Sequence, residues 1–259
     1  MHDLKSTAQD QLEYMLTEDD DAPLLVANNE VKSEAKKCSK NLLTRFYGQL
    51  DSIYEASELP SLHLLLCDIA WSCQILTKLE SFREFVESWV ESSEKIVKFI
   101  THFQTPDLDM LESMVKVTEI AAKVLEAIAY GTVILPTAKR HCMVKLWLPC
   151  VRTTKPLVDS VTANDDDEDD TPPFKIDGEL WQNLESAFVS IVLALPSADQ
   201  AEILTEWLRD ENVRYPDLTE AFEVWCYRSK VAKRRLEGLP SLTNSSISAS
   251  SYDSPSLSS

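Results

Sequence analysis

Glycine is scarce in this chain, four in 259 residues, where ~7% is ordinary usage. β-Architectures spend glycine at tight turns and bulges, so the shortage points to an all-α fold. It also leaves little material for phosphate-cradling loops, and none of GxxxxGK[ST], GxGxxG or GxSxG occurs, which argues against nucleotide-binding enzymes. Histidine, the usual acid-base residue, is limited to His2, His63, His102 and His141, none of them in a recognisable motif. The six cysteines (Cys38, Cys67, Cys73, Cys142, Cys150, Cys226) contain no CxxC pair. Neither Cys67 with Cys73 nor His141 with Cys142 supplies zinc-site spacing. We therefore expect no catalytic site, no metal and no cofactor, and a reducing compartment, with Cys67 and Cys73, inside an apolar run, acting as small hydrophobes.

Long apolar runs are lacking too. The longest uncharged apolar stretches, near Ala127 to Ala138 and Ser186 to Ala198, fall short of the ~18 residues a membrane span needs, and the first residues hold no signal-like apolar region. The expectation is a soluble protein of the cytoplasm or nucleus. Basic residues are outnumbered, 25 against 43 acidic, for a formal charge of -18. That balance speaks against broad contact with nucleic acid or anionic membranes, which the summed field repels.

What is present is helical periodicity. Apolar residues near helical spacing predict helices over Asp3 to Leu16, Glu30 to Tyr54, Pro60 to Leu79, Ser81 to about Thr105, Pro106 to Tyr130, and from Pro136 onward with Met143, Val144, Trp147 and Leu148. Pro149 and Pro156 are taken to bound the end of that last helix. Three more follow, Asp177 to Leu195, Ser197 to Arg209 and Pro216 to Leu236. Ser81 with Glu84, and Ser197 with Gln200, have capping-box spacing. The acidic run Asp165 to Asp170 with Pro172-Pro173 reads as a solvated linker, and the serine-rich stretch after Gly238 as a disordered tail. The expected organisation is a helical lobe over 1–160, an acidic linker over 161–175, a second helical lobe over 176–237 and a tail over 238–259.

One internal echo suggests how the helices stack. Leu135-Pro136-Thr137-Ala138 followed by Met143, Val144, Trp147 and Leu148 recurs 60 residues later as Leu195-Pro196-Ser197-Ala198 followed by Ile203, Leu204, Trp207 and Leu208. Phe85, Val86, Trp89 and Val90 form a weaker third copy, with Trp89 placed 58 residues before Trp147. Two helices per repeat, the second bearing the tryptophan, imply stacked hairpins. The competing reading is that Pro-Ser/Thr is a common helix start and tryptophan a common core residue.

The sequence singles out one surface patch, Arg228, Lys230, Lys233, Arg234 and Arg235 on the last predicted helix. Its charge suits the C-terminal end of the helix dipole. It would also serve as a nuclear-import signal, or as a docking face for an acidic partner, including the chain's own run at Asp165 to Asp170.

The stretches Val192-Leu193-Ala194-Leu195-Pro196-Ser197-Ala198-Asp199-Gln200-Ala201-Glu202-Ile203-Leu204 and Arg214-Tyr215-Pro216-Asp217-Leu218-Thr219-Glu220-Ala221-Phe222-Glu223-Val224-Trp225-Cys226-Tyr227-Arg228-Ser229-Lys230 resemble a plant BTB/POZ domain-containing protein family related to the non-phototropic-hypocotyl type. Gln9 to Tyr14 and Lys145 to Pro149 resemble the same family's helical region, so the likeness covers roughly residues 9 to 236. It implies an all-α, BACK-like array of about nine helices in stacked hairpins. It also implies a substrate-specific adaptor for a cullin-3 RING ubiquitin ligase, whose BTB domain grips the cullin while the helical remainder recruits client proteins. This chain is read as that helical region alone, without the BTB domain. The alternative is a helical scaffold or nuclear regulatory protein with no ligase connection.

Overall fold

A computed structural model of the chain describes residues 5–11, 29–52, 59–103, 106–162, 178–209 and 215–237. Among them every regular element is a helix. Residues 5–11 form α1, followed by α2 (Asn29–Ser52), α3 (Leu59–Lys78), α4 (Arg83–His102), α5 (Leu108–Ala129), α6 (Thr137–Thr162), α7 (Leu180–Leu193), α8 (Ser197–Arg209) and α9 (Thr219–Glu237). The all-α expectation holds. None of these helices is long and apolar enough to cross a membrane. The acidic run and the serine-rich tail lie outside the described residues, as do the outer parts of the first predicted helix.

The helices pack as two rows. In one, α3, α5, α7 and α9 lie side by side; in the other, α2, α4, α6 and α8 do; and consecutive helices join the rows as hairpins. The hydrophobic pattern of each helix explains its place. α5 sits at the centre of its row and buries residues around most of its circumference, Met110, Leu111, Ser113, Val115, Ile120 and Ala122 among them, as a helix flanked by neighbours must. α4 is one-sided, burying Phe85, Val86, Trp89, Ile96 and Ile100 at i, i+3 and i+4 spacings and leaving Glu84, Glu87 and Glu91 to solvent. One core runs from Leu43 on α2 to Ala221 on α9, so buried residues on both sides of the acidic segment pack together.

An aromatic column ties the second row. Phe46 stacks on Trp89 (ring centroids 5.9 Å apart) and Trp89 on Trp147 (6.3 Å, rings 17° from parallel). Both tryptophans are fully buried. Trp147 Nε1 donates to Ser93 Oγ at 3.2 Å, and that hydroxyl donates to the Trp89 carbonyl at 2.9 Å. The echo in the sequence therefore has a structural meaning: the equivalent tryptophans lie on α4, α6 and α8, successive members of one row.

The corners follow local chemistry, with three departures from the sequence reading. Asp107 caps α5 by accepting from the Met110 N–H at 2.9 Å, and Gly131, at φ +77°, turns the chain out of α5. At the α3–α4 corner Ser81 N–H bonds back to the Leu76 carbonyl at 2.8 Å while Glu80 takes a left-handed φ of 51°, a Schellman closure. The first departure is there. Ser81 Oγ donates to the Leu79 carbonyl and Glu84 pairs with Lys36 of α2 at 2.8 Å, so no capping box forms at α4. The second is the box at α8, where Gln200 turns away from Ser197 as described below.

The third departure is α6, which runs through both prolines to Thr162. An interior proline costs about 3 kcal/mol through a lost hydrogen bond and a clash with the carbonyl four residues back. Both rings are exposed, and 149 and 156 lie seven residues apart on the outer face, so the two N–H groups the helix forgoes are on the side away from the core. The inner face buries Trp147, Leu148, Cys150, Val151, Thr154 and Val158. At roughly 1.5–3 kcal/mol per large apolar side chain, that face holds the helix through the interruptions.

Candidate protein-interaction surfaces

The described histidines pack against neighbours or lie beside carboxylates. His102 meets Phe103 edge-on at 5.4 Å, and His141 Nε2 is 3.4 Å from Glu202 Oε2 on α8. His63 is the richest in neighbours, with Nε2 3.4 Å from Cys67 Sγ and 3.6 Å from Glu112 Oε1. Its buried Nδ1 has no partner, so the carboxylate that would orient a catalytic imidazole from behind is missing, and burial pushes the Cys67 thiol up, away from the reactive thiolate. Burial likewise raises the thiol of Cys150, to about 12. Among the described residues no three His, Cys, Asp or Glu side chains gather closely enough to hold a metal ion. His2 lies outside them.

The predicted basic patch is divided by the structure. α9 runs alongside α7 in the same direction: Tyr215 Oη donates to the Trp181 carbonyl (2.8 Å), Asp217 N–H to Glu185 Oε2 (2.8 Å) and Arg228 Nη1 to the Leu193 carbonyl (3.3 Å). Leu193 ends α7, so Arg228 satisfies one of that helix's orphan carbonyls and places its charge at the negative end of α7's dipole, not of its own helix. Lys230, Lys233 and Arg234 remain exposed at the end of the row beside Tyr227, which is 71% exposed. Arg235 lies on the same helix, its side chain outside the description. Ala221 is the one apolar residue of α9 that is fully buried among those described, which leaves most of the helix as surface.

The residues that carry the family resemblance build a joint. Gln200, 3% exposed, donates its amide to the carbonyls of Leu193 (3.2 Å) and Leu195 (2.8 Å). Trp225 Nε1 of α9 reaches Ser197 O and Oγ, each at 3.1 Å. The polar members of the α7–α8 turn are thus held by α8 itself and by two residues of α9. These positions clamp the fold.

A groove that sequence reasoning missed opens between α6 and α8. It measures about 450 Å³ and is lined by Leu148, Pro149, Arg152, Pro156, Glu206 and Trp207. Lys145 pairs with Glu202 and with Glu206 (3.5 Å) at its edge, and the Lys145 ammonium holds the Glu202 carboxyl below its usual range. Arg152 donates to the Trp207 carbonyl in the last turn of α8 at 3.4 Å. Apolar rings on the walls and a charged rim suit it to an amphipathic polypeptide segment better than to a small reactive substrate. The signal was present as two prolines seven residues apart, which read instead as the end of a helix.

Comparison with known proteins gives one match. The chain is 61% identical over 241 residues to a BTB/POZ domain-containing protein of Arabidopsis thaliana, covering 90% of this chain and 54% of that protein. The chain therefore spans about half the length of its curated relative. No family model matches the chain, and no solved structure does.

Proposed function

We propose that this chain, a close homologue of a plant BTB/POZ domain-containing protein, is the client-binding helical module of a substrate-specific adaptor for a cullin-3 RING ubiquitin ligase, and that it does no chemistry of its own. One observation carries the reading, the 61% identity across nearly the whole helical array. The form of the molecule supports it. Two rows of helices offer long side faces and an exposed end, as stacked-helix proteins use to hold partners. Residence in the cytoplasm or nucleus belongs to the same proposal and accords with six free cysteines.

The test is a chimera. The matched part of the Arabidopsis protein is replaced by this chain, and capture by immobilised cullin 3 is measured together with ubiquitination of proteins that co-purify. Retention of the chimera by the cullin, with the same co-purifying proteins modified, supports the adaptor. If the Arabidopsis protein itself is not retained by cullin 3, the ligase assignment fails.

A nuclear scaffold without a ligase is the second reading, favoured by the exposed Lys230, Lys233 and Arg234 at the end of α9. Exchange of Lys233, Arg234 and Arg235 for alanine in a fluorescent fusion would then shift it out of the nucleus. An unchanged distribution removes the import signal.

A further inference from the structure

α2 carries a face that the overall acidity of the chain conceals. Asn29, Lys32, Ser33, Lys36, Lys37 and Lys40 fall at i, i+3, i+4, i+7, i+8 and i+11, one side of a helix, and all line a groove of about 490 Å³ closed by Ser81 and Glu84 at the α3–α4 corner. Four lysines on one wall contrast with a net charge of -18 for the whole chain. Lys36 pairs with Glu84 across the groove (2.8 Å) and Lys37 with Glu34 of its own helix (3.6 Å). Lys32 and Lys40 have no carboxylate partner among the described residues. The positive end of the α2 dipole, at Asn29, opens on the same space.

The groove leads inward. A second pocket of about 180 Å³ shares Lys36, Lys40, Ser81 and Glu84 with the first and continues over Leu43, Leu76 and Phe85. Ser39 lines it, 3% exposed, with its hydroxyl unpartnered. A buried hydroxyl left without a partner costs on the order of 1–3 kcal/mol. That is an independent mark of a site built to receive a hydrogen-bonding group.

We propose that this groove binds an acidic peptide segment of a partner protein. Its carboxylates sit among Lys32, Lys37 and Lys40, one apolar side chain enters over Leu43, Leu76 and Phe85, and a polar group of the peptide bonds to Ser39 Oγ. A free anion would leave the apolar inner pocket empty. A long polyanion would meet the negative field of the rest of the chain. A short acidic segment with an apolar anchor satisfies all three features. The inference rests on reading the chain as a partner-binding module and names the chemistry of the partner.

The test is fluorescence anisotropy of the purified chain with a fluorescein-labelled aspartate peptide carrying one central leucine. Saturable binding that weakens with salt is expected. Lys32→Glu, Lys37→Glu and Lys40→Glu together should weaken it about tenfold or more, at three surface charges each worth a fraction of a factor of ten. Replacing the peptide's leucine by asparagine, which leaves the protein untouched, should weaken it about tenfold. Lys230→Ala with Arg234→Ala should leave it unchanged, and inorganic phosphate should not displace the peptide. Equal binding by the triple variant, indifference to the leucine, displacement by phosphate, or no saturation would each overturn the proposal. No cullin is present, so this result and the chimera result succeed or fail separately.

Discussion

The tryptophans of α6 and α8 occupy the same position of an internal echo and meet opposite surroundings. Trp147 is wholly buried, stacked on Trp89 and bonded to Ser93. Trp207 is partly exposed on the wall of the α6–α8 groove, and its indole donates to the Pro216 carbonyl at 2.9 Å. α6 lies inside its row, with α4 on one side and α8 on the other, whereas α8 ends it. The same residue therefore makes core in one place and the wall of an open groove in the other. Burial is concentrated in the middle of the array, and the grooves open at its outer faces.

Truncation should expose that contrast most sharply. Trp147→Ala is expected to cost about 3–5 kcal/mol, enough to consume much of an ordinary domain's stability. Trp207→Ala should cost roughly 1–2 kcal/mol, for a hydrogen bond and partial burial. Chemical denaturation of the two variants measures the difference, and equal losses would break the comparison. Ser93→Ala tests the middle more gently. It strands the Trp147 N–H in the core and should cost about 1–3 kcal/mol, with near-ultraviolet circular dichroism reporting the disturbed indoles.

On the outer face the sign should reverse. Pro149→Ala restores an N–H for the Lys145 carbonyl and is expected to stabilise, by up to about 2 kcal/mol once the stiffer unfolded chain of the proline form is discounted. Stabilisation accompanied by weaker client capture would mark the proline as kept for the groove. Glu80→Gly relieves a left-handed residue at the α3–α4 corner and should gain about 1 kcal/mol, read as a higher denaturation midpoint.

The smallest effect is at acid pH. Two hydrogen bonds from Thr219, one from its hydroxyl and one from its N–H, hold the Asp217 carboxyl below its usual range. A depressed folded value contributes stability above the unfolded carboxylate value, about 3.9, and loses it as pH falls through the folded one. Asp217→Asn should therefore flatten the pH dependence of α9 unfolding below about pH 4 and lower stability slightly at neutrality, where the carboxylate's contribution is fully present.

Much of this organisation is legible in the sequence where one physical signal acts alone. The apolar periodicities mark each helix, and Pro60, Pro136 and Pro196 sit at or just before helix starts. The recurrence 60 residues apart picks out positions that do fall in one row. The reading fails where two signals compete. Pro149 and Pro156 ordinarily stop a helix, and only the tertiary burial of Trp147, Val151 and Val158 shows why α6 continues. Glu84 and Gln200 have capping-box spacing, but one is drawn to Lys36 on another helix and the other into the α7–α8 turn. The basic patch on α9 was legible as charge, whereas the commitment of Arg228 to α7 depends on a contact 35 residues away. The lysines of α2 escaped notice because glutamates interleave with them in the sequence, while the helix puts the lysines on one wall.

Native-state hydrogen exchange can separate one cooperative core with loosely held outer faces from lobes that unfold independently. Amides in the middle of α4, α5, α6 and α7 should exchange only through global unfolding and share one free energy, while those of α9 beyond Arg228 should exchange far faster. Separate free energies for α5 and α7, or protection at Lys230 to Arg234 equal to that of α5, would contradict that arrangement.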